Sequence, residues 1–509
     1  MLQSLIHFLT TPNEIVQFCT VQFWLMFVLF LIVYAFIYWR EAKSLQKRLR
    51  EGQTTDITPF WAKTQNWRLA YVIAFSLFFF WKANGWVMVL LPVTALATWT
   101  VTRWMETIES RNAKKWLLAL NVILNLLPLL YFKYANFLLV NFAQLVQTNF
   151  NPLDIALPIG ISFYTFQGIS YAVDVYRGKF TERVSFLSYL FYLSFFPLLL
   201  AGPITRAGTL FPQLKRTTRI SETMACYGIF LIILGLIKKG VVADYLATYN
   251  NLVFDMPATY SGFENMMAVL GYTVQIYFDF SGYSDLSIGI AAVLGIRLRD
   301  NFNMPYQSLN LTEFWRRWHI SLSTWFRDYF YIPLGGNRKG NARTYLNCFL
   351  TMLLAGVWHG ASWMFVIWGA LHGLGLVVHK FCKKHGLDKL PKNIWTKFTA
   401  WTITMLYVMV AWVFFRAANL QDASAVFTKI FTDFDWAYLP PFVEKRTLCF
   451  ILIVLSFLLF AVRRKTMDRL AARFILMPWP VKSILFLIIV QIMLQLQQGS
   501  VAPLLYAEF

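Results

Sequence analysis

His359 stands in the middle of LLAGVWHGASWMFVIWG (Leu353–Gly369), and no Asp, Glu, Lys or Arg occurs between Arg343 and Lys380. An imidazole inside an apolar, membrane-suited stretch is costly to bury, so function is the default reading. Burial disfavours the imidazolium and leaves a neutral ring with a free lone pair. A general base that takes a proton from a hydroxyl needs that lone pair. Gly356, Gly360, Ala361 and Ser362 leave room beside it for a second backbone or a ligand. The competing reading is a core histidine satisfied by a carbonyl.

The chain has six histidines. His319 lies in EFWRRWHISLSTWFRDYFYIPLGGNRKG (Glu313–Gly340). At about 100° per residue, Trp315, Trp318, Leu322, Trp325 and Tyr329 share one stripe, with Arg316, Arg317, Arg327 and Asp328 opposite. This pattern predicts one amphipathic helix over about 313–332, lying in the membrane interface rather than crossing it. His319 falls at the edge of its apolar stripe, and Pro333 with Gly335-Gly336 ends it. A second polar cluster, QIYFDFSGYSDLSIG (Gln275–Gly289), sets Asp279, Ser284 and Asp285 inside an otherwise apolar run. Its carboxylates fit either ion pairs with basic residues or the wall of a wet tunnel. His359, His372 and His379 lie at intervals that match no common zinc-ligand spacing, and no carboxylate is close in sequence, so no metal is expected. There is no G-x-S-x-G elbow, Cys–His pair or P-loop. If the protein is an enzyme, the attacking group belongs to the substrate and the chain supplies the base.

The elements that hold these residues are membrane helices. Of 509 residues, 58% are hydrophobic and 14% charged, where a soluble protein carries about 25% charged residues. Apolar runs such as Val21–Tyr38, Phe186–Ala201, Tyr227–Ile237 and Phe398–Phe415 predict an all-α polytopic membrane protein with about 11–13 crossings. No cleavable signal peptide is expected, because the first basic residue is Arg40 and Glu14 interrupts the apolar start. The five cysteines show no redox or metal spacing. The net charge of +21 does not imply nucleic acid, since it is divided among short basic loops: Arg40–Arg50, Arg103–Lys115, Lys215–Arg219, Lys238–Lys239, Lys380–Lys397 and Arg463–Arg473. That is the positive-inside pattern, and it also favours anionic lipid headgroups. No soluble domain or internal repeat is visible, so residues 1–509 read as one integral membrane domain.

Seven stretches, in order, resemble the membrane-bound O-acyltransferase family in its bacterial, polysaccharide-acylating branch. They are Leu157–Gly178, Phe195–Arg206, Gln275–Gly289, NFNMPY (Asn301–Tyr306), Glu313–Arg338, Ala355–Gly373 and Ala411–Leu420, so that the core motifs span 157–420. The resemblance implies a ring of helices around a central tunnel, His359 as the catalytic histidine and His319 as the second polar position, orienting the donor or stabilising the oxyanion. It implies a cytosolic thioester donor, acetyl-CoA or an acyl carrier protein thioester, with no tightly bound cofactor. Arg316, Arg317, Arg327, Arg338 and Lys339 would gather the donor's phosphates, with Asp279, Asp285 and Ser284 as further tunnel candidates. It also implies an SGNH-type partner outside the membrane that modifies a polysaccharide. D-alanyl transfer to teichoic acid is the nearest alternative, and a polysaccharide exporter the alternative from another class.

Overall fold

The computed structural model describes residues 10–12, 15–51, 58–215, 220–387 and 393–496. His7, most of the basic run Lys215–Arg219 and the middle of Lys380–Lys397 lie outside them. The chain is 80% helical, with no strand among the described residues.

It forms two compact units. The first, residues 1–221 with 294–297, contains α1 (Val21–Arg50), α2 (Thr58–Asn84), α3 (Leu90–Thr107), α4 (Arg111–Leu129), α5 (Ala135–Leu145), α6 (Ile161–Tyr176), α7 (Phe186–Ser194), α8 (Phe196–Leu199) and α9 (Ala207–Lys215). The second, residues 222–293 with 298–509, contains α10 (Glu222–Leu236), α11 (Asp244–Asp255), α12 (Gly262–Val293), α13 (Leu311–Arg317), α14 (Ile320–Phe326), α15 (Gly340–His359), α16 (Trp363–Lys384), α17 (Ile394–Arg416), α18 (Leu420–Thr432), α19 (Leu439–Lys445), α20 (Thr447–Phe460), α21 (Arg464–Leu476) and α22 (Trp479–Leu496).

Among the described residues, seven stretches are long and apolar enough to cross a membrane, and α20 with α21, bent by 102°, would make an eighth. Leu25, Leu29 and Ile32 on α1 and Leu487 on α22 turn outward, as lipid-facing side chains do. Some apolar runs are used differently from the sequence expectation. Phe186–Ala201 is not one helix: it breaks at Phe195 (φ −54°, ψ 108°), and Pro197 opens the four-residue α8. The Phe196 N–H freed by this break donates to the Ser76 hydroxyl at 3.1 Å, so the buried donor is satisfied.

Three of the expected basic loops are helix, among them Arg463–Arg473, which lies in α21 from Arg464 onward. Arg40–Arg50 continues α1. Lys238 and Lys239 sit in a π-helical turn, Ile237–Ala243, that joins α10 to α11 inside a candidate span. Lys239 is 2% exposed and pairs with Asp244 at 2.7 Å and Asp279 at 2.5 Å. Lys238 pairs with Asp285 at 2.6 Å. The extra residue of a π turn shifts the helical register, here directing two neighbouring lysines onto two carboxylates of α12. Glycines permit the approach, since a Cβ on Gly235 would lie 2.7 Å from the Gly282 carbonyl oxygen and one on Gly228 2.7 Å from that of Gly289.

Candidate active site

The predicted helix over 313–332 is corrected by the structure. It breaks at His319, which adopts left-handed backbone angles (φ 41°, ψ 56°) between α13 and α14. The cause is a partner distant in sequence. The Ile320 N–H donates to the Asn301 carbonyl at 2.8 Å, and the Asn303 N–H donates to the Arg317 carbonyl at 2.9 Å. The NFNMPY loop thus takes up groups that helix continuation would have used. The aromatic stripe survives the break, with Trp315, Trp318, Leu322 and Trp325 all buried in protein. His319 is fully buried and meets the Phe280 ring edge-on at 4.5 Å. Burial pushes its imidazole well below the ordinary value, so the ring is neutral.

His359 is the last residue of α15, and Gly360 leaves the helix in extended conformation. Ser362 starts α16 by accepting the Met364 N–H at 3.2 Å. The sequence WHGAS is therefore a tight corner between two closely crossed helices. A Cβ on Gly356 would lie 2.3 Å from the Phe365 carbonyl oxygen, and one on Gly369 2.7 Å from that of Met352. The room anticipated beside His359 is filled, by backbone at Gly356 and by the Phe365 ring at Gly360, in the small-residue crossing common to membrane helices. Gly356→Leu is expected to force α15 and α16 apart and displace His359, lowering turnover by roughly 10²-fold at matched expression and insertion. Wild-type turnover in this variant would show that the crossing does not set the histidine.

Around His359 (4% exposed) stand Trp358 at 4.9 Å, Trp368 at 4.9 Å and Phe415 at 5.3 Å between ring centroids. Trp358 also lies 6.4 Å from His319, so one indole neighbours both histidines. Trp368 reaches His372 at 4.7 Å, and the His372 Nδ1 accepts the Trp315 indole N–H at 3.3 Å. The His379 Nδ1 lies 2.8 Å from the Thr312 hydroxyl. Among the described residues, no His, Cys, Asp or Glu group is arranged to hold a metal ion.

A cavity of about 460 Å³ is lined by one of these rings, Trp315, and by neither His319 nor His359. Trp315, Ile320, Phe326, Met352 and Ala355 give it apolar walls, while Arg316, Arg327 and Lys380 supply charge. Ile320 follows His319 directly, and Ala355 is one helical turn before His359. The sequence-selected residues thus separate. Arg316 and Arg327 line this cavity, Arg327 while paired with Asp328 at 2.8 Å; Arg317 does not line it and is paired with Glu313 at 2.7 Å. Asp279 is committed to Lys239. Ser284 and Asp285 line a different, smaller cavity of about 70 Å³, with Asp300, Asn301 and Arg464. Sequence reasoning missed Lys380 as a cavity residue because it stands in a basic run, and it missed Asn301, whose only signal was the NFNMPY motif.

The sequence profile of the membrane-bound O-acyltransferases matches residues 178–421. The chain is 40% identical to the probable alginate O-acetylase AlgI of Pseudomonas aeruginosa, over 72% of this chain and 70% of that one. It is 38% identical to the peptidoglycan O-acetyltransferase of Helicobacter pylori, over 72% and 74%. It is 30% identical to the teichoic acid D-alanyltransferase of Bacillus subtilis, over 58% and 76%.

Proposed function

The chain belongs to the membrane-bound O-acyltransferase family, and on that premise we propose that it O-acetylates a cell-surface polysaccharide from the bacterial cytoplasmic membrane, using acetyl-CoA from the cytosol. The acetyl group reaches the polymer through an SGNH-type partner outside the membrane. His359 accepts the proton of an acceptor hydroxyl as its oxygen attacks the thioester carbonyl. The C–S bond breaks, His359 returns the proton to the departing thiolate, and ester and thiol leave. His319 orients one of the reactants.

The observation that carries this reading is the position of the 460 Å³ cavity. Its walls run from the residue after His319 to the turn before His359, and it is charged by three cations suited to a phosphate-bearing thioester. The relatives named as O-acetylating enzymes are more similar to this chain than the D-alanyltransferase, which favours acetyl over D-alanyl.

The test uses the full chain in proteoliposomes, with radiolabelled acetyl-CoA on the side of the cavity's cations. Each of Arg316→Ala, Arg327→Ala and Lys380→Ala is expected to raise the KM for acetyl-CoA about fivefold, the equivalent of about 1 kcal/mol for a partly exposed charge. Arg317→Ala is expected to change it less. An unchanged KM in all three, or acetyl transfer only from a carrier-protein thioester, would overturn the donor assignment.

A further inference from the structure

The motif NFNMPY plays no part in the chemistry above, yet its first residue lies against His319. We propose that Asn301 is a positioning residue that holds His319 with its proton on Nδ1, so that Nε2 meets a substrate as a hydrogen-bond acceptor. The inference rests on the reading of His319 as part of the acyl-transfer site.

The amide of Asn301 is oriented by a group whose role is fixed. The Ser321 backbone N–H, which can only donate, lies 3.1 Å from Oδ1, and the Ser321 hydroxyl donates to the same atom at 2.8 Å. That atom must be the amide oxygen. The other end, Nδ2, donates to the Ser284 hydroxyl oxygen at 3.3 Å. His319 Nδ1 lies 3.2 Å from Oδ1. An amide oxygen only accepts, so the proton of this interaction sits on Nδ1. The Ser321 hydroxyl, 3.5 Å from Nδ1, has spent its proton on Oδ1 and contributes a second acceptor there.

The backbone is held in the same way. Left-handed angles at a non-glycine residue are strained and persist where the surroundings over-determine them. Here the carbonyl of Asn301 takes the Ile320 N–H, so one residue, 1% exposed, grips the corner by both its main chain and its side chain. A neutral imidazole protonated at Nδ1 has a lone pair at Nε2 and no proton there. It cannot donate to an oxyanion. It receives a hydrogen bond from an O–H or N–H of a substrate, and the oxyanion is stabilised by another group.

The experiment is nitrogen-15 NMR of the full chain labelled at histidine, with His319 assigned by its absence in His319→Gln. The wild-type protein is expected to show His319 protonated at Nδ1 and not at Nε2. Asn301→Asp keeps an acceptor at the same place and is expected to keep the Nδ1 proton. Asn301→Ala removes it and is expected to redistribute the proton between the two nitrogens, with turnover falling roughly 10- to 100-fold. Wild-type His319 with its proton on Nε2, or an unchanged proton position in Asn301→Ala, would overturn the proposal. The spectrum does not depend on turnover, so failure of the acetyl-transfer assay would leave this result readable by itself.

Discussion

His359→Ala is expected to lower acetyl transfer by roughly 10²–10⁴-fold, the usual contribution of a positioned general base, while the protein still inserts and purifies. The corner between α15 and α16 holds no other comparable base: the Ser362 hydroxyl is weakly basic and caps α16, and the nearest rings, Trp358, Trp368 and Phe415, offer an indole N–H or no polar atom at all. The substitution removes a ring from a packed aromatic cluster, so some loss of stability accompanies it. His359→Gln separates the two effects, because glutamine fills more of the space and cannot take a proton. Both variants should fail to restore O-acetyl groups on surface polysaccharide in cells lacking the wild-type protein. Normal acetylation in His359→Ala cells at matched expression would remove the proposed base.

The largest stability effect is expected at Lys239. Two buried carboxylates, Asp244 and Asp279, converge on this one ammonium group. Lys239→Met leaves both beside each other, away from water and without that counter-charge. Breaking a buried pair from one side costs about 3–5 kcal/mol, which should appear as a marked drop in the inactivation temperature of the detergent-solubilised protein. The matching test removes the charges together. Lys239→Met with Asp244→Asn and Asp279→Asn is expected to recover most of the loss, since neutral replacements are far less costly to bury. If the single variant is as stable as wild type, or the triple variant no better than the single, the ion triad does not hold α10, α11 and α12 together.

These two sites differ in how much of them can be read from a linear chain. His359 stands out because its peculiarity is local: a titratable ring within a long uncharged stretch is visible without knowing any neighbour. The aromatic stripe of Trp315, Trp318, Leu322 and Trp325 is legible for the same reason, since side chains at helical spacing share a face whether or not the helix continues. The break at His319 is not legible. Residues 313–332 have an uninterrupted helical pattern, and the cause of the interruption is the pair of hydrogen bonds from residues 301 and 303. Lys238 and Lys239 mislead in the same manner. A pair of lysines beside an apolar run reads as a cytoplasmic loop until α12 places Asp279 and Asp285 against them.

Composition and short-range pattern therefore determined the membrane-embedded all-helical class and marked the two histidines as candidates, while the resemblance of seven motifs indicated the family. These depend on how much apolar surface each segment must hide and on residue types at fixed local spacing. Tertiary structure alone decided that Arg316, Arg327 and Lys380 share a cavity while Arg317 turns to Glu313, that Asp279 serves an ion triad, and that Asn301 grips His319. Each of these depends on which groups from separate helices meet. A buried charge or N–H takes whatever partner the packing brings within about 3 Å, and sequence distance carries no record of that choice.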